Sequence, residues 1–161
     1  SINRTHADFP GLQVVNTILG GYFGSRLMAN IREDKGYTYG IGSGVMDMNQ
    51  TGYFVIVTEV GKEVLDQTLR EIKFELERLQ NELVSEDELS LVKNYMLGSM
   101  LGSLENAFSH ADKFKNIHFF GLDYSYYSNY VETVKNITAQ DLKEMANKYL
   151  QPEAFYELVV Y

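Results

Sequence analysis

With 161 residues, 45% of them hydrophobic, the chain is long enough to form one domain around a sizeable core. It has no cysteine, which excludes disulfides and thiol chemistry, and its formal charge of −8 sets it against phosphate backbones, so nucleic acid is not an expected partner. No apolar run approaches the roughly 20 residues that a membrane-spanning helix needs.

In chain order, Asp8-Phe9-Pro10 predicts a helix start, with Asp8 as cap and Pro10 in the first turn. Leu12, Val15, Ile18 and Leu19 follow at helical spacing until Gly20-Gly21 interrupts them. A second helix is expected over 25–35, with Leu27, Met28 and Ile31 turned inward. Gly36 would be left-handed after its end, and Tyr37 would fold back on Ile31. Over 37–48 the period falls to two: Tyr37, Tyr39 and Ile41 share one face, and Gly40, Gly42 and Gly44 share the other, where helix packing would explain the glycines. Asn49-Gln50-Thr51-Gly52 reads as a turn into a second strand, 53–60, apolar on both faces and therefore internal to a sheet.

A long helix over 63–80 carries Val64, Leu65, Leu69, Ile72, Phe74, Leu76 and Leu79. Ser85-Glu86-Asp87-Glu88 reads as a capping box for the next helix, which runs past Leu89, Val92, Met96 and Met100. Gly98 and Gly102 fall on one face of it and predict a close helix crossing. Helices follow over 108–120, from Asp123 to 134, and from Thr138 to 150, and 155–161 reads as a last strand after Pro152. Strands segregated from helices indicate an α+β fold, an antiparallel or mixed sheet with helices packed on one face.

The cluster Gly20-Gly21-Tyr22-Phe23-Gly24-Ser25 could cradle phosphate, but a dinucleotide fingerprint needs a preceding strand, and a helix precedes here. A sharp corner between helices accounts for it better. Zinc hydrolases need convergent ligands. His110 and His118 stand eight apart, His6 is distant in sequence, and neither H-E-x-x-H nor H-x-x-E-H occurs, so no metal site is expected in this chain. No G-x-S-x-G elbow marks a serine nucleophile, and the acidic run 82–88 reads as a solvated helix start. The segment 25–40 offers other chemistry. Arg32 would lie in a last helical turn and Tyr39 two residues into a strand, on either side of Gly36. Both have plain readings, as a dipole-favoured cation and a strand aromatic. A guanidinium and a phenol held across such a turn could also aim at one carbonyl oxygen, and such donors hold peptide backbone and stabilise a developing oxyanion.

The blocks Val15-Asn16-Thr17-Ile18-Leu19-Gly20-Gly21, Ser25-Arg26-Leu27, Ile31-Arg32-Glu33 and Gly36-Tyr37-Thr38-Tyr39 resemble the second-domain signature of the pitrilysin/insulinase zinc metallopeptidases, the inverzincins, a group that includes the mitochondrial processing peptidases. Ser85-Glu86-Asp87-Glu88-Leu89, Gly121-Leu122-Asp123-Tyr124 with Tyr126-Tyr127, and Thr138-Ala139-Gln140-Asp141-Leu142 resemble the same domain, so the similarity covers nearly the whole chain. The resemblance implies two homologous α+β domains facing each other across a chamber. One holds zinc through H-x-x-E-H and a downstream Glu; the other lacks zinc and supplies an arginine and a tyrosine seven residues apart. Arg32 and Tyr39 fall on those two positions, with the implied role of orienting the substrate carbonyl and stabilising the tetrahedral oxyanion in trans.

Residues 1–161 are thus expected to form a single domain, a fragment of a longer peptidase or subunit. It would be a metallohydrolase-like domain of the processing-peptidase type lacking its first strand, which leaves a sheet edge open. The expected function is the non-catalytic, substrate-binding half of a zinc metalloendopeptidase, inactive alone, with zinc in the partner domain. Its expected partners are a homologous zinc-bearing domain or subunit and an unfolded peptide that adds to a sheet edge. The alternative is a catalytically silent scaffold subunit, like the respiratory-complex core subunits that share the fold; the presence of both Arg32 and Tyr39 favours the first. A soluble protein of the bacterial cytoplasm or periplasm is expected.

Overall fold

The computed structural model describes residues 2–160. Their elements are α1 (Phe9–Asn16), β1 (Ile41–Asp47), β2 (Gly52–Thr58), α2 (Leu65–Asn81), α3 (Glu86–Gly102), α4 (Ala107–His118), α5 (Ser125–Asn136) and α6 (Ala139–Tyr149). The two strands pair antiparallel, from Ile41 opposite Thr58 to Asp47 opposite Gly52. On one face Ile41, Val45, Phe54 and Ile56 pack into the core under the helices, while Met46, Tyr53 and Val57 are exposed on the other. The fold is the expected α+β arrangement.

The central helix is α1, which touches β1, α5 and α6. Seven of its eight residues are buried. Its apolar side chains therefore contribute on every side, about 1.5–3 kcal/mol for each buried Leu, Val or Phe. It continues as a wider π-helical turn, Thr17–Gly21, in which the Thr17 hydroxyl donates to the Gln13 carbonyl. That turn lies directly on β1: a Cβ at Gly20 would stand 2.7 Å from the Ser43 backbone nitrogen, and the Ser43 hydroxyl donates to Asn16 Oδ1 at 2.8 Å. The close backbone approach thus belongs to Gly20. Of the three glycines expected to face a helix, only Gly42 does, where a Cβ would stand 3.5 Å from the Gly20 carbonyl oxygen; a Cβ at Gly40, just before β1, would meet nothing within 4 Å, and one at Gly44 would touch only Met46 and Val55 at ordinary contact distance.

The second helical stretch is also π-helical over Met28–Asp34. The Lys35 N–H reaches the Asn30 carbonyl, and the Tyr37 N–H reaches that of Ile31, both at 3.0 Å. Gly36 has φ +65°, as its position after the helix end predicts.

Several expectations are corrected. Asp8 does not cap α1: its backbone is already helical, and its carboxylate accepts from Lys148 Nζ at 2.7 Å and the Tyr149 hydroxyl at 2.6 Å. Ser85 caps α3, but the Glu88 carboxylate takes a two-pronged bond from Arg26, at 2.8 and 2.7 Å, instead of closing the box. On α2, Phe74 is exposed and Glu75 is buried, with Asn30 and Arg78 donating to it. A Cβ at Gly98 or Gly102 would meet nothing within 4 Å, so no helix crosses there. Among the described residues β2 pairs with β1 alone and is not internal to a larger sheet. Residues 155–160 are not a strand, because no second strand pairs with them among the described residues; Tyr161 lies outside those residues. Phe155 packs edge-on against Phe54, while Tyr156, Leu158 and Val160 are exposed. Asn106 caps α4, and Thr138 and Asp141 form a reciprocal capping box on α6. No helix among the described residues is long and apolar enough to cross a membrane.

Candidate functional site

Arg32 follows the fully buried Ile31 on the π-helical turn, so it sits at the edge of the core with its head outward. Its guanidinium lies over the Phe23 ring, 4.7 Å from the centroid, and makes no ion pair among the described residues. Such a contact is worth about 0.5–1 kcal/mol at an exposed position and leaves the N–H fork free to donate. Phe23 comes from the glycine corner at 22–25, which the Ser25 N–H closes by donating to the Tyr22 carbonyl at 3.2 Å. Tyr22 stacks on Tyr95, and a Cβ at Gly24 would come within 2.9 Å of the Tyr22 ring. The corner is filled by aromatic packing, not shaped as an anion cradle.

Tyr39 is fully exposed, at 100%. Its neighbours explain why. The Thr38 hydroxyl donates to the Glu59 carbonyl at 2.7 Å, the Gly40 N–H donates to Thr38 Oγ1 at 3.1 Å, and the Thr58 hydroxyl donates to the Gly40 carbonyl at 3.0 Å. With residues 38 and 40 both tied to the end of β2, the side chain between them is turned into solvent, and β1 begins only at Ile41. Among the described residues the Tyr39 phenol makes no hydrogen bond, and no bond or ring contact joins it to Arg32. The sequence offers Arg32 and Tyr39 as candidates but not Phe23 or the Thr38–Thr58 pair beside them; the Thr-x-Gly run at 38–40 is the only local trace.

Among the described residues, no three His, Asp or Glu side chains converge to hold a metal ion. His6 Nδ1 accepts from the Asp8 N–H, and His118 stacks on Phe114 at 5.3 Å. The donor set does not fit zinc, and no step of chemistry is assigned to a metal held by this chain.

Beside the glycine corner opens a cavity of about 440 Å³ between α1, α3, α4 and α5. Gly21 and Tyr95 line one side, and Lys113, Tyr126, Tyr127 and Tyr130 line the other. Burial pushes the Tyr126 phenol up to about 12 and lowers Lys113. Tyr126 therefore stays a protonated donor at neutral pH, while the Lys113 ammonium is less well solvated than in water.

A family model described as the peptidase M16 inactive domain matches residues 2–96. An uncharacterized zinc protease of Rickettsia felis is 31% identical over 137 residues, 84% of this chain and 33% of that protein. The uncharacterized zinc protease YmxG of Bacillus subtilis is 34% identical over 101 residues, 63% of this chain and 25% of that protein. Among solved structures, the peptidase M16 inactive domain of Pseudomonas fluorescens is 30% identical with a TM-score of 0.84, covering 93% of this chain and 36% of that one. The chain spans a third or less of the length of these curated relatives.

Proposed function

The chain belongs to the peptidase M16 family, as a domain of the kind described as inactive, and from that premise we propose that it is the substrate-gripping half of a zinc metalloendopeptidase. Its partner is a homologous domain that carries the zinc named in its relatives. There the metal would polarise the scissile carbonyl and lower the pKa of a bound water. This chain contributes donors. The Arg32 fork binds and orients the peptide carbonyl. The Tyr39 hydroxyl adds a second hydrogen bond that strengthens as negative charge develops on that oxygen.

The observation that carries this reading is that both donors flank the Gly36 turn and neither is spent. Arg32 rests on an aromatic face instead of a carboxylate, and Tyr39 is held out to solvent by its threonine-anchored neighbours. A cation kept for charge balance alone would be expected to find one of the chain's 22 acidic residues.

The test is turnover of a fluorogenic unfolded peptide by the full-length protein with its zinc-bearing domain or subunit. Arg32→Ala and Tyr39→Phe should each lower kcat by about 10²-fold or more, the usual cost of removing an oxyanion donor. Near-wild-type kcat in both variants would refute the role. The scaffold alternative predicts no turnover from any preparation, with or without added zinc.

A further inference from the structure

The cavity between α1, α3, α4 and α5 has an unusual lining for so acidic a chain. The protein carries 22 Asp and Glu against 14 Lys and Arg, yet no carboxylate lines this space. Two cations do. Arg4 is already neutralised, since Asp47 accepts from its guanidinium on the side toward β1 and the Asn116 carbonyl accepts from Nη1 at 2.9 Å. Lys113 is not. Its ammonium lies 4.9 Å from the centroid of the Tyr127 ring, with no ion pair and no hydrogen bond among the described residues. The adjacent Asp112 is turned away to Lys115 at 2.7 Å.

Four tyrosines, Tyr95, Tyr126, Tyr127 and Tyr130, line the same cavity. The Tyr127 hydroxyl is used, donating to the Lys113 carbonyl at 2.8 Å. Those of Tyr95, Tyr126 and Tyr130 make no hydrogen bond to the described residues and are not sealed from solvent. A partly desolvated ammonium with no counter-ion among the described residues is disfavoured, and phenols that remain protonated can donate as well as the ammonium can. The missing partner is therefore an acceptor bearing negative charge. The tyrosine faces suit an apolar or aromatic body behind that charge. A volume of about 440 Å³ lies within the ~300–1,000 Å³ of small-ligand sites.

We propose that this cavity is a carboxylate-binding subsite, in which Lys113, Tyr126 and Tyr130 receive the C-terminal carboxylate or an acidic side chain of a bound peptide. The peptide as bearer rests on the function proposed above; the carboxylate chemistry does not. The glycine corner borders both places, because Gly21 lines the cavity and Phe23, two residues on, lies beneath Arg32.

The test is titration of the full-length protein by calorimetry and ligand-observed NMR with N-acetyl-phenylalanine and its primary amide. It is repeated with a labelled apolar decapeptide as free acid, as C-terminal amide, and as an amide containing one Glu or Gln. The acid should bind about tenfold more tightly than the amide, as one charge-assisted hydrogen bond allows. Lys113→Met, which keeps the stem and whose folding is checked by its melting temperature, should erase that preference. Tyr126→Phe should reduce it, and Arg32→Ala should leave it intact. Which decapeptide keeps the preference tells a C-terminus from an acidic side chain. Equal binding of acid and amide, no binding of either, or a preference that survives Lys113→Met overturns the subsite. Arg32→Ala and Tyr39→Phe at wild-type kcat, with the Lys113-dependent preference intact, would instead overturn the carbonyl-gripping role and leave the subsite standing.

Discussion

A methyl group at Gly20 would meet the Ser43 hydroxyl at 2.6 Å and its backbone nitrogen at 2.7 Å. Backbone cannot move aside as a side chain tip can, so Gly20→Ala must push the π-helical turn off β1. The expected cost is about 1–3 kcal/mol, as for overpacking elsewhere, read as a lower urea midpoint at unchanged slope. Gly98 is the opposite case. It lies inside α3 with nothing within 4 Å, so Gly98→Ala should stabilise by roughly 0.5–1 kcal/mol through helix propensity. A stabilised Gly20→Ala, or a clearly destabilised Gly98→Ala, would contradict the packing described. Both glycines interrupt a helical pattern in the sequence, Gly20 beside Gly21 and Gly98 four residues before Gly102; only the neighbour brought up by the fold separates them. The same holds at the site. Arg32 and Tyr39 are singled out as candidates by their positions around Gly36 and by the family resemblance, whereas Phe23 and the anchoring hydroxyl of Thr58 become their neighbours only once the chain has folded.

The link between helical elements is clearest where α3 meets the stretch that carries Arg32. Arg26, on its first turn, is 8% exposed, and Glu88 is its carboxylate partner. Its Nη1 already lacks a partner. Removing the acid by Glu88→Ala would leave a buried guanidinium without its counter-charge, at a cost of about 2–4 kcal/mol. Replacing both by Arg26→Met with Glu88→Leu should recover most of that loss, because the penalty comes from the stranded charge more than from the missing attraction. Chemical denaturation of the single and double variants measures the difference; a double variant no better than the single one would show that the pair itself stabilises. Elements of this kind were legible to the extent that their signals are local. Ser85 and Thr138 mark their helix starts, and Gly36 marks a helix end, because each acts within a few residues. The π-helical turns were not legible, since they depend on how the wider turn packs on β1. The strand expected at 155–161 failed for a related reason: alternation of side chains gives a segment a face, but a strand exists only when a neighbour accepts its hydrogen bonds.

For the molecule as a whole, the ends of the fold are fastened by one carboxylate. Asp8 precedes α1 and accepts from Lys148 and Tyr149 at the end of α6. The Lys148 and Tyr149 hydrogen bonds hold its pKa below the ordinary value of 3.8. Those from Thr138 do the same for Asp141, and those from Ser125 for Asp123. A carboxyl whose folded pKa is depressed binds its proton less readily than in the unfolded chain. Its contribution is complete above the unfolded pKa and is lost as pH falls through the folded one. The chain's net charge of −8 acts the other way, since acidification toward the isoelectric point near 4.8 relieves repulsion. The decline should therefore be confined below that point. A series of urea midpoints from about pH 6 to about pH 3 should stay level and then fall. Asp8→Asn, which keeps the shape and removes the titration, should begin lower and fall less steeply. Parallel curves for the two proteins would mean that the α1–α6 fastening contributes nothing that depends on the charge of Asp8.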